Sequence, residues 1–494
     1  MIRLTAPYGA ARHALIIVGT LLVGAWSTAC SMAPEYTPPD VDPPPGWRVH
    51  ADEAASLADL PWWEVFRDPS LQDLLRAGLA QSKDVRIAAS RIAQARASWT
   101  VTRSRLLPQI GTGVSVLPER LSQVGFPLGL SATSERLDDP NITLSEVGLG
   151  ISFDLDLWGK LRSASDAAKV ELLASEEARQ AVVVMLVGDV AQTYFDLREL
   201  DLELEITRAT RLTRIETLHI VRLRQEHGLV SDLDVRQAEI QVDATDAFIP
   251  DLERRINQTE NRLSVLLGLN PGPIQRGRSL VEETVPPHIP AGLPSGLLER
   301  RPDLRQAEKQ IVAANFRIGE ARAAFFPNIA LTGVLGVQSL SLSDLFTTPA
   351  RFWQVGPTIT LPLYTGGRLK GQVNLARART DEALIRYARV VQQAFREVND
   401  GLIANQQTRR VVVVLERQLE AARDAQHLAE LRYLNGLTNY LDVLEAQRVV
   451  FATELELARA RRDLLVAVVQ IYKALGGGWN ATDGLARSPG EAGR

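Results

Sequence analysis

Apolar and polar residues alternate over four short stretches of this chain and recur at helical spacing over most of the rest. In the clearest stretch Val147, Leu149, Ile151, Phe153, Leu155 and Leu157 are apolar, and Gly148, Gly150, Ser152, Asp154 and Asp156 between them are small or polar. A period of two predicts a strand whose faces meet different surroundings. Trp353, Val355, Ile359, Leu361 and Leu363 alternate in the same way with Gln354, Gly356, Thr358 and Thr360, and weaker partners precede each at 110–116 and 329–337. Strands of about 9–11 residues can cross a tilted bilayer path. Their apolar side then faces lipid, and their polar side, with Asp154 and Asp156, faces a wet lumen. The alternation also fits an antiparallel sheet in a soluble domain. Four strands cannot close, and an open edge in lipid leaves backbone groups unsatisfied at several kcal/mol each. Strands that span must therefore be pooled by several copies. Two chains would make eight strands with a filled interior; three would make twelve with an open lumen.

After each strand pair comes a long run of helix formers. Residues 160–225 contain no proline and would reach roughly 100 Å as one helix; 368–434 is a similar run. Shorter helices are predicted over 71–105, 232–267, 303–324 and 441–475, with Pro250 kinking or ending the second. Leucines at helical spacing (Leu197, Leu200, Leu204; Leu415, Leu419) must be buried against other helices, as antiparallel pairs. The turns Gly228-Leu229-Val230-Ser231 and Gly436-Leu437-Thr438-Asn439 end one helix on glycine and can cap the next with Ser231 or Asn439.

These turns expose an internal tandem repeat. Leu233-Asp234-Val235 recurs as Leu441-Asp442-Val443, Leu267-Gly268 as Leu475-Gly476, and Gly159-Lys160-Leu161 as Gly367-Arg368-Leu369, all at the spacing from Gly228 to Gly436. Upstream, Leu107-Pro108-Gln109-Ile110 recurs as Phe326-Pro327-Asn328-Ile329 at a wider spacing. The first copy is longer between its strands, in a stretch (117–146) whose polar, Pro- and Gly-containing composition reads as a loop.

Of 494 residues, 45% are hydrophobic and 23% charged, with a net charge of −4, so nothing in the charge balance points to nucleic acid. The six histidines are scattered, which argues against a zinc site. No nucleophile–base pair or phosphate loop stands out, so no enzyme activity is expected. Arg3, Arg12 and His13 precede an apolar run, 14–26, too short to span a bilayer and suited to a secretory signal. Cys30 follows small residues Ser27, Thr28 and Ala29, an arrangement that resembles a lipobox with Ser27 where leucine is usual. Its thiol would carry a covalent lipid, and no other cofactor is expected. Ser31 in place of aspartate suggests outer-membrane sorting.

The whole pattern resembles the TolC-like outer-membrane factors, most closely their lipoprotein branch (OprM-like, NodT subfamily). Met32-Ala33-Pro34-Glu35-Tyr36, Trp62-Trp63-Glu64-Val65-Phe66 with Asp68-Pro69, Arg301-Pro302-Asp303-Leu304 and Leu475-Gly476-Gly477-Gly478-Trp479 carry the resemblance. It implies an α+β membrane protein: a homotrimer in the outer membrane whose chains each give four transmembrane β-strands to a shared barrel, continuous with a long periplasmic α-helical barrel. A periplasmic adaptor and an inner-membrane pump, of RND type, complete an efflux route. The divisions expected are a signal peptide (1–29), a lipid-anchored extension and belt segment (30–70), a first repeat (71–270), a belt linker (271–294), a second repeat (295–478) and a disordered tail (479–494).

In that family, acidic side chains near the periplasmic end form the constriction. The matching residues are Asp442 and Glu445, three apart on one helix face, with Arg448 placed to pair with Glu445. Three copies would form a ring, and carboxylate rings favour cations. The alternative for Asp442 is a helix-start acid favoured by the macrodipole. For Asp234, its repeat partner, capping beside Ser231 is the simpler role. The expected cargo is small and amphipathic. Type I protein secretion, metal-ion efflux and a poreless structural lipoprotein are the alternatives.

Overall fold

The structure is a computed structural model that describes residues 32–49, 56–57, 60, 65, 67–120, 141–283, 290, 292 and 294–477. The targeting segment, Cys30, the tryptophans at 62 and 63, the tip of the first hairpin and the tail expected after 478 lie outside these residues. The described residues form eight α-helices and four strands. The helices are α1 Pro69–Gln81, α2 Lys83–Ser104, α3 Lys160–Glu226, α4 Asp232–Leu266, α5 Pro294–Arg300, α6 Pro302–Ala323, α7 Arg368–Leu434 and α8 Tyr440–Ala474. The strands are β1 Gln109–Arg120, β2 Asn141–Asp154, β3 Asn328–Ser339 and β4 Arg351–Thr360. Helices α3 and α7 each have 67 residues, and α4 and α8 each have 35. Among the described residues no helix is long and apolar enough to cross a membrane.

The chain divides into two compact units. The first comprises Met1–Pro39, Ala93–Leu173 and Lys309–Ile385 and contains the sheet. Its strands run antiparallel in the order β1-β2-β3-β4, so β2 and β3 join the two hairpins and β1 and β4 are edges. The register puts Ile110, Ile151, Gly333 and Val355 in one cross-strand row and Thr112, Leu149, Leu335 and Trp353 in the next on that face. The opposite face carries rows such as Gly113, Gly148, Gly336 and Phe352, with Ser115, Glu146 and Gln338 beyond. Alternation thus separates an apolar face from a small and polar one. The apolar face is bare: Ile110, Val114, Leu335, Trp353, Val355 and Ile359 are all more than half exposed. Both strands of the first hairpin extend into the stretch expected to be loop, to Arg120 and from Asn141.

At its other end β2 stops at Asp154, short of the expected strand. Leu155 still donates its N–H to the Ile329 carbonyl (2.9 Å), but Asp156 turns the chain with φ 43°. The expectation that Asp156 lines a lumen from a strand is therefore corrected. Its carboxylate accepts from the backbone N–H groups of Leu161 (2.8 Å) and Arg162 (2.9 Å), capping the first turn of α3, and pairs with the Arg162 side chain. Free N–H groups at a helix start attract an anion, which explains the aspartate. Asp156→Ala should destabilise the protein by about 1–2 kcal/mol, the usual effect of losing a cap. Chemical unfolding monitored by circular dichroism measures this, and Asp156→Asn should recover about half.

The second unit comprises Asp40–Ile92, Ala174–Glu308 and Arg386–Arg494. Its core is built from Leu71 and Leu75 of α1, Val187, Val190, Tyr194 and Leu197 of α3, Leu252 and Leu263 of α4, and Ile471 of α8, all almost fully buried. Burying each such side chain contributes about 1.5–3 kcal/mol. The α3–α8 seam is not purely apolar. Lys473 pairs with Asp189 (3.4 Å), Gln470 donates to Gln192 (2.7 Å), Arg462 pairs with Asp196 (3.3 Å), and Arg459 donates to Glu203 (2.9 Å) in one antiparallel register. Glu203 is fully buried and also meets Arg255 of α4 at 3.4 Å, so a single carboxylate ties three helices. Burial pushes the Glu199 and Asp196 carboxyls above their ordinary range, against the pull of Arg462.

Two expectations are revised here. The helix predicted from 71 to 105 is broken at Ser82, whose extended backbone (ψ 133°) separates α1 from α2. Of the two outcomes expected at Pro250, a kink or an end, the end is overturned: α4 runs on past Pro250 to Leu266. Residues of the linker pack on the helices: Arg276 bonds Asp201 (3.1 Å) and Glu260, and Glu260 accepts from the Ile274 N–H (3.0 Å). Asp68 caps α1 through the Ser70 N–H (2.8 Å) and accepts from the Tyr194 hydroxyl (2.5 Å), which itself accepts from the Gly277 N–H (3.0 Å).

Candidate functional site

The two helical turns expected to carry function lie in the second unit. Helices α3 and α7 end on Gly228 and Gly436, both at φ 71°. Only glycine adopts this geometry freely, and it lets the chain satisfy the last carbonyls: Leu229 donates to Arg224 O and Leu437 to Arg432 O, at 2.8 and 2.9 Å. The next helices start on polar caps. The Asp234 carboxylate accepts from both the N–H and the hydroxyl of Ser231 at 2.9 Å, a capping role. Asn439 accepts from the Asp442 N–H (3.3 Å), and the Thr438 hydroxyl donates to the Asp442 carboxylate. Arg448 grips Glu445 with two hydrogen bonds (2.9 and 2.6 Å), which hold that exposed carboxyl below the usual range. Leu229, Leu233, Leu437 and Leu441 project from the turns and are more than half exposed.

Beneath these exposed residues lies a cluster that sequence reasoning missed. Leu218 and Val221 of α3, Ala238 of α4, Tyr433 of α7, and Tyr440 and Val443 of α8 pack together. The Tyr433 and Tyr440 rings are 5.8 Å apart. Arg224, one turn before the first tip, lies over the Tyr433 ring at 4.7 Å and donates to the Leu434 carbonyl (3.2 Å). It thereby fastens one tip to the other by a cation–π contact and a hydrogen bond. Further in, Arg214 sits 5.2 Å from the Phe451 ring and donates to the Gln241 carbonyl (2.8 Å). Burial, then the neighbouring Tyr433, pushes the Tyr440 phenol up to about 12. Burial raises the Tyr433 phenol as well, so both rings favour the neutral form that packs in the cluster. The signal that could have found it is the placement of Tyr433 and Tyr440 on either side of the Gly436 turn.

Asp154, at the end of β2, accepts from the Asn328 side chain (3.2 Å) and remains partly exposed. Among the described residues no group of three or more His, Cys, Asp or Glu could hold a metal ion. The turns of the second unit offer exposed leucines beside hydrogen-bonded carboxylates, which suits recognition of a partner and not bond-making chemistry.

Comparison with known proteins agrees. The outer membrane efflux protein family model matches residues 74–269 and 293–477. The chain is 36% identical to the solvent efflux pump outer membrane protein SrpC of Pseudomonas putida, over 92% of this chain and 96% of that protein. It is 34% identical to the outer membrane protein OprJ of Pseudomonas aeruginosa, over 94% and 96% of the two chains. The crystal structure of the open state of the MtrE outer membrane channel of Neisseria gonorrhoeae superposes with a TM-score of 0.80 at 32% identity, covering 91% of this chain and 99% of that one. With matches of this extent on both sequence and fold, the chain belongs to the outer membrane efflux protein family, whose members are transport conduits of the outer membrane and not enzymes.

Proposed function

We infer that three copies of this chain form the outer-membrane channel of a tripartite efflux system that exports small amphipathic compounds. The observation that carries this reading is the four-stranded sheet with its exposed apolar face and two edges, β1 and β4, each paired on one side only. Backbone groups at such edges must find partners in lipid, and neighbouring copies supply them. Twelve strands leave an open lumen. The small and polar face, with Ser115, Glu146 and Gln338, then lines the passage, and the helices extend it into the periplasm as a second barrel. The equal lengths of α3 and α7 and of α4 and α8, with glycines at matching turns, support descent from a tandem duplication. The first repeat spans 71–270, a belt linker 271–294 and the second repeat 295–478. A lipid on Cys30 anchors the mature N-terminus. SrpC is named for solvent efflux, which favours apolar cargo.

On this reading the helix tips are the gate. Exposed Leu229, Leu233, Leu437 and Leu441 give the periplasmic adaptor an apolar surface, and an RND-type inner-membrane pump supplies the energy. Asp442 and Glu445, repeated three times about the axis, form the charged ring; Arg448 holds Glu445 in place, and Asp234 holds the α4 start. The Asp442→Ala, Glu445→Ala double variant should raise single-channel conductance in planar bilayers and lower cation selectivity, since a carboxylate ring concentrates cations. Unchanged conductance and selectivity in a correctly assembled trimer would remove the ring from the gate. A wild-type protein that inserts and conducts nothing would sink the channel reading itself.

A further inference from the structure

Helix α6 presents two contrasting faces within the first unit. On one, the extended segment after residue 32 lies against it: Asn315 donates to the Pro34 carbonyl (2.7 Å), and a Cβ on Gly319 would fall 2.7 Å from the Ala33 nitrogen. On the other, about half a turn round the helix, a cavity of about 730 Å³ opens between α6, the start of α3 and the start of α7. That volume is in the range of sites for small organic molecules. Its floor is apolar, from Ala313, Ala321, Ala324, Leu375 and Ala376. Its rim carries four cations, Lys160, Arg317, Arg368 and Arg379, against two carboxylates, Glu171 and Glu320. Arg317 occupies both carboxylates, at 3.2 and 3.0 Å. Lys160, Arg368 and Arg379 are exposed and have no carboxylate partner among the described residues.

We propose that this groove binds the anionic group of an amphipathic solute passing through the channel, with the cations of Lys160, Arg368 and Arg379 holding the anion and the alanine floor holding its carbon body. Three uncompensated cations around an apolar hollow match a small molecule with one charged end and one greasy end. The assignment of the ligand to cargo rests on the channel reading. If a lipid on Cys30 holds the segment at residues 32–34 outside the barrel, the opposite face of α6 opens inward. A phospholipid headgroup offers the same anion from a different source, and the test separates the two.

The full-length protein in phosphatidylcholine nanodiscs is titrated with naphthalene-2-sulfonate and, separately, with neutral 2-naphthylmethanol, by isothermal titration calorimetry. The Lys160→Gln, Arg368→Gln, Arg379→Gln variant should bind the sulfonate at least tenfold more weakly and the neutral probe within twofold of wild type. The Lys160→Arg, Arg368→Lys, Arg379→Lys variant, which keeps all three charges, should bind the sulfonate within about threefold of wild type and so guards against a folding defect. Equal sulfonate affinity in wild type and the glutamine variant, or no saturable binding to wild type, overturns the proposal. Loss of sulfonate binding when phosphatidylglycerol is added to wild-type discs gives the groove to a lipid headgroup and overturns its assignment to cargo. Potassium chloride conductance of the same preparations reads the channel independently, so a failed pore and an empty groove give different results.

Discussion

Gly268→Ala is expected to destabilise the protein by about 3 kcal/mol or more. Two effects add. Gly268 has φ 78°, and a residue with a Cβ in the left-handed region is penalised by about 1–2 kcal/mol. The Cβ would also fall 2.8 Å from the Gln81 carbonyl carbon and closer to its oxygen, both backbone atoms that cannot rotate away. Overpacking of this kind adds about 1–3 kcal/mol. Its repeat counterpart gives an internal scale. Gly476 has φ 77°, but a Cβ there would stand 3.2 Å from the Arg300 oxygen, a tight contact that a shift of a few tenths of an ångström relieves, so Gly476→Ala should lose mainly the conformational part, about 1–2 kcal/mol, and less than Gly268→Ala. Gly272→Ala, where the nearest heavy atom would be 3.9 Å away, should change stability by less than about 0.5 kcal/mol. Urea unfolding of the three variants tests the order. Equal losses at 268 and 476 would show that the crowding against Gln81 is relieved at no cost.

With the gate at the helix tips, as proposed, Arg224→Ala is expected to loosen the tips and increase leakage through the channel. The side chain contributes one cation–π contact and one hydrogen bond to the opposite tip. Together these are worth about 1.5–3 kcal/mol, or about a tenfold to hundredfold change in the equilibrium between fastened and parted tips. Open probability in planar bilayers should rise by about that factor, up to saturation, and cells should become sensitive to large antibiotics normally excluded. Arg224→Lys keeps the charge and loses the planar fork, so it should fall between the two. Tyr433→Leu keeps the apolar burial and removes the ring face, and should reproduce most of the alanine effect. Wild-type open probability in both variants would mean that the tips part without breaking this tie.

The sequence made the elements legible wherever one local signal dominated. The ends of α3 and α7 lie within a residue of expectation, because Gly228 and Gly436 stop the helices by backbone conformation alone. The faces of the sheet were legible because the side-chain period in a strand is fixed at two. Errors arose where tertiary contacts outweighed local pattern. Alternation continued through Leu155 and Leu157, but the start of α3 needed an anion, and Asp156 left the strand to supply it. The break at Ser82 has neither proline nor glycine to announce it. Pro250 sits within a helix whose packing on both sides of it outweighs one missing donor. At the candidate site, the pairing of Glu445 with Arg448 followed from their spacing. The tie from Arg224 to Tyr433 did not, because it joins residues more than 200 positions apart. Nor could the acidic positions of α3 be matched to Arg459 and Arg462 of α8 before the two helices were in register.

The raw borders of the sheet have a consequence for the life of the chain before it reaches its destination. A lone subunit offers unsatisfied hydrogen-bonding rims beside a greasy surface, a template for any stray extended peptide. On the trimeric reading, each copy is safe only once its siblings have sealed it, so closure and insertion must proceed together. The durability of the finished pipe is then inseparable from how many siblings are at hand.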